Sequence, residues 1–220
     1  MNENIVKRNA LLAQTVIKGL ESRNMTGHYA ENKAEALKLA LSLIPEGSTV
    51  TMGGAMSARE IGLVDALKAG HYNFIDRDEM PDTRAAMLAA YDADVFLASA
   101  NAMTRDGILV NIDCNANRVS AIAQGPRKVL LIVGMNKVCG DLDGAMKRVP
   151  QCGRAHQCPA LRAVHALHND RRLHGLQVSR HPLLSVPHHP LFPAQGPHPR
   201  DPGQRQSGVL ILPARYGQCH

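Results

Sequence analysis

The sequence predicts an α/β fold of three layers, a largely parallel sheet covered by helices on both faces. Helical and strand signals alternate through the first 149 residues, as they do in chains that build sheet-and-helix layers. The run Val95-Phe96-Leu97-Ala98 is apolar at every position, which is how a strand buried on both faces reads. A stretch of 149 residues is also long enough to enclose one real core.

The elements follow in order. Residues 4–22 carry Ile5, Leu12, Val16, Ile17 and Leu20 at helical spacing, and the segment from Asn24 to Gly27 breaks the helix. Residues 32–44 repeat the pattern through Ala36, Leu37, Ala40, Leu41 and Ile44, with Pro45-Glu46-Gly47 as the stop. Residues 48–52 form a short strand. Ser57-Ala58-Arg59-Glu60 has the spacing of a capping box and starts a helix to about Lys68, which Gly70 ends. Further strands are expected at 74–75, 95–98, 108–112 and 129–133, with helices at 81–91, 118–123 and 142–148.

The richest chemistry lies between Ser99 and Ala121, where Asn101, Asp106, Asn111, Asp113, Asn117 and Arg118 surround the apolar Ile108-Leu109-Val110. Singly, each of these residues satisfies turn backbone. Together they point to a ligand pocket at the carboxyl end of the sheet, where open α/β sheets bind ligands. Arg118 suits a bidentate hold on a carboxylate or phosphate, or a pairing with Asp113; Asn101 and Asn111 suit a carbonyl or hydroxyl. Asp106 is read first as a site residue capable of proton transfer and second as the seat of the Arg105-Asp106-Gly107 turn. Glu60 is read first as the capping-box partner and second as a proton-transfer group. Gly53-Gly54 sits between a strand and the helix at Ser57. It either lets backbone N–H groups approach an anion or is a tight turn needing positive φ.

The blocks Gly53-Gly54-Ala55-Met56-Ser57-Ala58-Arg59-Glu60-Ile61-Gly62-Leu63, Tyr72-Asn73-Phe74-Ile75-Asp76-Arg77, Asn101-Ala102-Met103-Thr104-Arg105-Asp106-Gly107, Asn111-Ile112-Asp113, Asn117-Arg118-Val119 and Gly125-Pro126-Arg127-Lys128-Val129 resemble the lactate-utilisation (LUD) domain family of bacteria, over the first two thirds of the chain. The resemblance implies a fold like that of sugar-phosphate isomerases and CoA transferases, whose equivalent loops surround the ligand. It implies a component of lactate or organic-acid oxidation that binds a small carboxylate or phosphorylated metabolite and works beside iron-sulfur oxidoreductase subunits. An isomerase or acyl/CoA-transferase using Asp106 or Glu60 is the enzymatic alternative. Cys114 and Ala116 stand where the family pattern carries glycines, and a loop needing positive φ is strained by both.

Composition changes at residue 150. Up to Val149 there are 17 Lys and Arg against 17 Asp and Glu; beyond it are 8 Arg, no Lys and 2 acids, which supply the whole net charge of +6. The same tail holds 9 of the 11 His and 10 of the 13 Pro without sustained periodicity. Residues 1–149 are therefore read as the domain and 150–220 as an aberrant basic tail that is not a folded domain. A frame displacement accounts for it. Residues 151–156 can be encoded so that a shifted frame reads Asn-Val-Ala-Ala-Pro. Residues 165–177 can be encoded so that a shifted frame reads a cysteine-rich run of the kind the resemblance implies. A non-functional frame-shifted product is accordingly a third reading.

The tail lacks the Lys, aromatic interleaving and ligand spacing of a nucleic-acid arm or metal tract. No Gly-x-Gly-x-x-Gly, P-loop, His-Glu-x-x-His or Cys-x-x-Cys occurs, so the residues name no cofactor and no metal. His28 and His71 lie beside turns and complete no triad. Without a signal peptide or a run of the roughly 18 apolar residues a membrane span needs, the chain is expected in the cytoplasm, away from membranes and nucleic acid.

Overall fold

A computed structural model describes residues 3–113, 116–149, 183–186 and 208–215. Its elements are α1 (Glu3–Glu21), β1 (His28–Ala30), α2 (Lys33–Ser42), β2 (Thr49–Met52), α3 (Met56–Glu60), α4 (Leu63–Ala69), β3 (Asn73–Ile75), α5 (Thr83–Asp92), β4 (Val95–Ala98), β5 (Ala102–Thr104), β6 (Leu109–Ile112), α6 (Asn117–Ala123), β7 (Lys128–Gly134), β8 (Val138–Cys139), α7 (Leu142–Arg148), β9 (Leu183–Val186) and β10 (Val209–Arg215). A 3-10 turn at Met135–Lys137 joins β7 to β8.

Six strands form the main sheet in the order β1-β10-β7-β4-β2-β3. Strands β3, β2, β4 and β7 run parallel, and β10 is antiparallel to both of its neighbours. The expected largely parallel, three-layer α/β architecture is thus the observed one. On one face Ala13, Val16 and Leu20 of α1 and Ala121 and Ile122 of α6 pack with Phe96, Leu131 and Val133. On the other, Ala36 and Ala40 of α2 and Leu63, Val64 and Leu67 of α4 pack with Val50, Leu97 and Ile132. Alternate residues of one strand serve opposite faces, which accounts for the unbroken apolar runs.

Beside this sheet stands a second one, β8-β5-β6-β9, whose Ala102, Val110 and Ile112 pack against Ala145 and Val149. The strand expected at 108–112 belongs here and not to the main sheet, paired with β5, a strand the sequence reading did not expect. The β5–β6 turn is clamped to α1: a Cβ on Gly19 would lie 2.4 Å from the Asp106 carbonyl carbon, and one on Gly107 2.6 Å from Gly19.

Two other expectations are corrected. The helix expected from Ser57 to Lys68 is two helices, because Gly62 adopts φ +79° between α3 and α4. Nor does Ser57 cap it: the cap position is Ala55, without a side-chain hydrogen bond, and Ser57 lies inside α3. A capping box needs its Ser outside the helix with extended backbone, so the Ser57–Glu60 spacing is coincidental here.

Strand β10 comes from beyond the boundary drawn at Val149. Val209, Leu210, Ile211 and Leu212 are at most 1% exposed, between β1 and β7. Each fully buried Leu or Ile contributes roughly 1.5–3 kcal/mol of gross burial, so this strand is part of the core. The segments at 151–156 and 165–177, on which the expectation of a frame displacement rests, lie outside the described residues, as does Cys114.

Candidate functional site

Parallel strands present their carboxyl ends along one edge, and four connections meet there. They are Gly53–Ala55 after β2, Asp76–Arg77 after β3, Ser99–Asn101 after β4 and the Met135–Lys137 turn after β7. Gly53 donates its N–H to the Leu97 carbonyl at 2.9 Å, which holds the turn against β4. A Cβ on Gly53 would lie 2.5 Å from Phe96 and 2.9 Å from Arg118 Cγ. Gly54 has φ +72°, and a Cβ there would lie 3.0 Å from Arg77 Nη2. Both glycines are thus needed for local reasons. Their effect is to let two guanidinium side chains flank one turn.

Arg118, at the start of α6, braces three segments. Nη2 donates to Asn101 Oδ1 at 2.7 Å and to the Ile112 carbonyl at 2.9 Å, and Nη1 lies 3.5 Å from the Ser99 carbonyl. Asn101 Oδ1 also accepts the Ile112 N–H at 3.1 Å, which ties the end of β6 to the loop after β4. Asp113 Oδ2 accepts the backbone N–H of Arg118 at 2.7 Å and that of Val119 at 3.3 Å, seating the first turn of α6. Lys137 Nζ donates to Ser99 Oγ at 2.7 Å, while that hydroxyl donates to the Ile132 carbonyl at 2.7 Å. Two cations therefore converge on Ser99. Next to this group Asn111 is fully buried, and neither atom of its amide has a hydrogen-bond partner among the described residues.

Of the residues expected at the site, Gly53, Gly54, Asn101, Asn111, Asp113 and Arg118 come together at this edge. Ser57 is buried within α3 below the turn, and Glu60 is exposed at the end of that helix. Asn117 opens α6 and lines a neighbouring cleft of about 230 Å3 with Arg84, Met87, Leu88, Tyr91, Ala116 and Ser120. At its rim Ala116 has φ +57°, so this position of the loop does adopt the backbone that favours glycine.

Asp106 sits at the far end of the β5–β6 hairpin from Asn101. Its carboxylate accepts from the Thr104 hydroxyl and pairs with Arg23 Nη2 at 2.8 Å, and Arg23 Nε donates to its carbonyl at 2.9 Å. The Thr104 hydrogen bond, with help from Arg23 and against partial burial, holds this carboxyl below the usual carboxylate range. Its geometry is that of a turn seat fastened to α1.

The sequence reading missed Arg77, Ser99 and Lys137. Arg77 stood inside a quoted block but carried no spacing signal. Lys137 becomes significant only once β4 and β7 are neighbours. The loop bearing Arg77 is fixed by Asp76, which is 3% exposed and lies 3.4 Å from Arg59 and 3.1 Å from Lys68. Burial opposes ionisation of Asp76, but the Asp78 N–H, Lys68 and Arg59 outweigh it and hold its pKa low.

Among the described residues no helix is long and apolar enough to cross a membrane, and no group of three or more His, Cys, Asp or Glu is placed to hold a metal ion. Comparison with curated proteins gives no match, and comparison with solved structures gives none either. The sequence profile of the LUD domain matches residues 13–162, which runs past Val149 and covers more than half of the chain. With the parallel sheet and the blocks at its carboxyl edge, this match establishes that the chain belongs to the LUD-domain family.

Proposed function

We propose that the carboxyl edge binds a small organic anion, a carboxylate or a phosphate monoester, and that the protein serves lactate or organic-acid oxidation as a binding component. Family membership supports a lactate-utilisation-related role. The observation that carries the binding reading is the convergence of Arg77, Arg118 and Lys137, from three separate connections, around Gly53–Gly54 and Ser99. Cations at partly buried positions attract an anion more strongly than they do in open water. Arg118 braces three wall segments, whereas Lys137 holds Ser99 and Arg77 pairs with the neighbouring Asp78 at 3.5 Å, and these two are the contacts proposed for the anion. The iron-sulfur oxidoreductase partner and the cytoplasmic location belong to the same proposal.

Isothermal titration of the full chain with lactate, other 2-hydroxy acids, sugar phosphates and CoA esters tests the reading. We expect one of these to bind, and Lys137→Met and Arg77→Met each to weaken it at least tenfold, about 1.4 kcal/mol or more. Undiminished binding in both variants rejects the site as drawn.

A further inference from the structure

We infer that Asn111 holds a buried neutral oxygen that both donates and accepts a hydrogen bond: an internal water or a hydroxyl of the bound ligand. Asn111 is 0% exposed, and both Oδ1 and Nδ2 are without partners among the described residues. A buried amide left unmade on both sides bears its full desolvation penalty, and native structures supply such groups with a partner.

The surroundings say where that partner lies. Asn111 is two residues from Leu109 on β6 and so shares its face, on the side of the core cluster that includes Leu109, Met103 and Met135. The pairing of Ala102 with Val110 sets Asn111 opposite Asn101, whose Oδ1 receives Arg118. The amide therefore borders the braced loop after β4.

Its chemistry selects the partner. Oδ1 accepts and requires a donor; Nδ2 donates and requires an acceptor. A carboxylate or a fully ionised phosphate serves Nδ2 and leaves Oδ1 unmet, whereas an ammonium group does the reverse. Water and alcohol hydroxyls serve both. Asn111 is thus suited to a neutral oxygen beside, not at, the charged end of a ligand. The ligand-hydroxyl form of this inference rests on the proposed anion site, and the water form does not.

The test is NMR of the 13C,15N-labelled full chain. The Asn111 side-chain amide is identified by its loss in Asn111→Ser or, if that variant does not fold, through its own Cβ. We expect a cross-peak between this amide and a long-lived water in the ligand-free protein. Lactate and propionate, which differ by one hydroxyl, separate the sources. A water cross-peak that survives both assigns an internal water. Its replacement by an amide shift with lactate alone assigns a ligand hydroxyl. No water cross-peak together with no shift from either compound overturns the inference. If the backbone N–H signals of Gly53 and Gly54 still move in that case, the anion site stands without it. If the water cross-peak is present while those signals ignore both compounds, binding of these carboxylates fails and the internal water remains.

Discussion

Arg118 Nη2 and Asn101 Oδ1 meet at 2.7 Å, and the same oxygen receives the Ile112 N–H. One amide oxygen thereby couples the loop after β4, the end of β6 and the start of α6. Hydrogen bonds to a charged group contribute about 1.5–3 kcal/mol each. Urea unfolding of Arg118→Ala is expected to show a loss of roughly 2–4 kcal/mol, and Arg118→Lys is expected to recover less than half of it. Lysine's single ammonium cannot reproduce the fork, in which Nη2 bonds Asn101 and Ile112 while Nη1 faces the Ser99 carbonyl. A loss under about 0.5 kcal/mol would show that the brace is dispensable.

Ala116 gives the opposite sign. A left-handed backbone costs a non-glycine residue about 1–2 kcal/mol, while glycine's extra freedom in the unfolded chain returns about 0.5–1. Ala116→Gly is therefore expected to stabilise the domain by up to about 1 kcal/mol. Destabilisation in a thermal melt would contradict the φ of +57°.

Asp76 predicts an acid limb. Its folded pKa lies below the ordinary value, so its contribution to stability is complete above the unfolded pKa of about 4 and is lost as pH falls through the folded value. The stability gap between the wild type and Asp76→Asn is expected to be constant above about pH 5 and to close below about pH 4. A gap that widens on acidification would reverse the assignment.

Asp106 separates turn from chemistry. Held below the usual carboxylate range, it stays ionised near neutral pH and makes a weak base. Its side chain is 61% exposed, so the Arg23 pair is worth little, about 0–1 kcal/mol. Asp106→Asn is expected to lower stability by no more than about 1 kcal/mol and to leave anion binding unchanged. A collapse of turnover in any measured reaction would restore its catalytic reading.

The core helices were legible because Val16, Leu20, Ala36 and Ala40 recur at the period of a helix and are all buried. Strand β1 was not, since His28-Tyr29-Ala30 has no local strand signal and among the described strands pairs with the sequence-distant β10. The run Val209-Leu210-Ile211-Leu212 did carry a local signal, as a short apolar stretch between Gly208 and Pro213, but the composition around it obscured the strand. At the site, Asn101, Asp113 and Arg118 were visible as concentrated polar chemistry. Asp106 lay in the same stretch, and nothing in the chain order says which end of a hairpin a residue occupies. Arg77 and Lys137 are single cations after strands, significant only through neighbours distant in sequence.

The pairing of His28 with Ile211 also governs how the molecule is made on the ribosome. Strand β1 emerges early, yet β10, its partner among the described strands, is made only after all the other described elements, and β7 keeps an open flank until then. Helices α1 to α6 and the strands between them can gather sooner, but the nascent chain carries two unsatisfied strand edges until residue 215 has been translated. Such edges invite pairing between chains. Production of this protein should accordingly depend on how quickly β10 follows the other described elements, and slow synthesis between α7 and β10 should cost yield more than slow synthesis before β1.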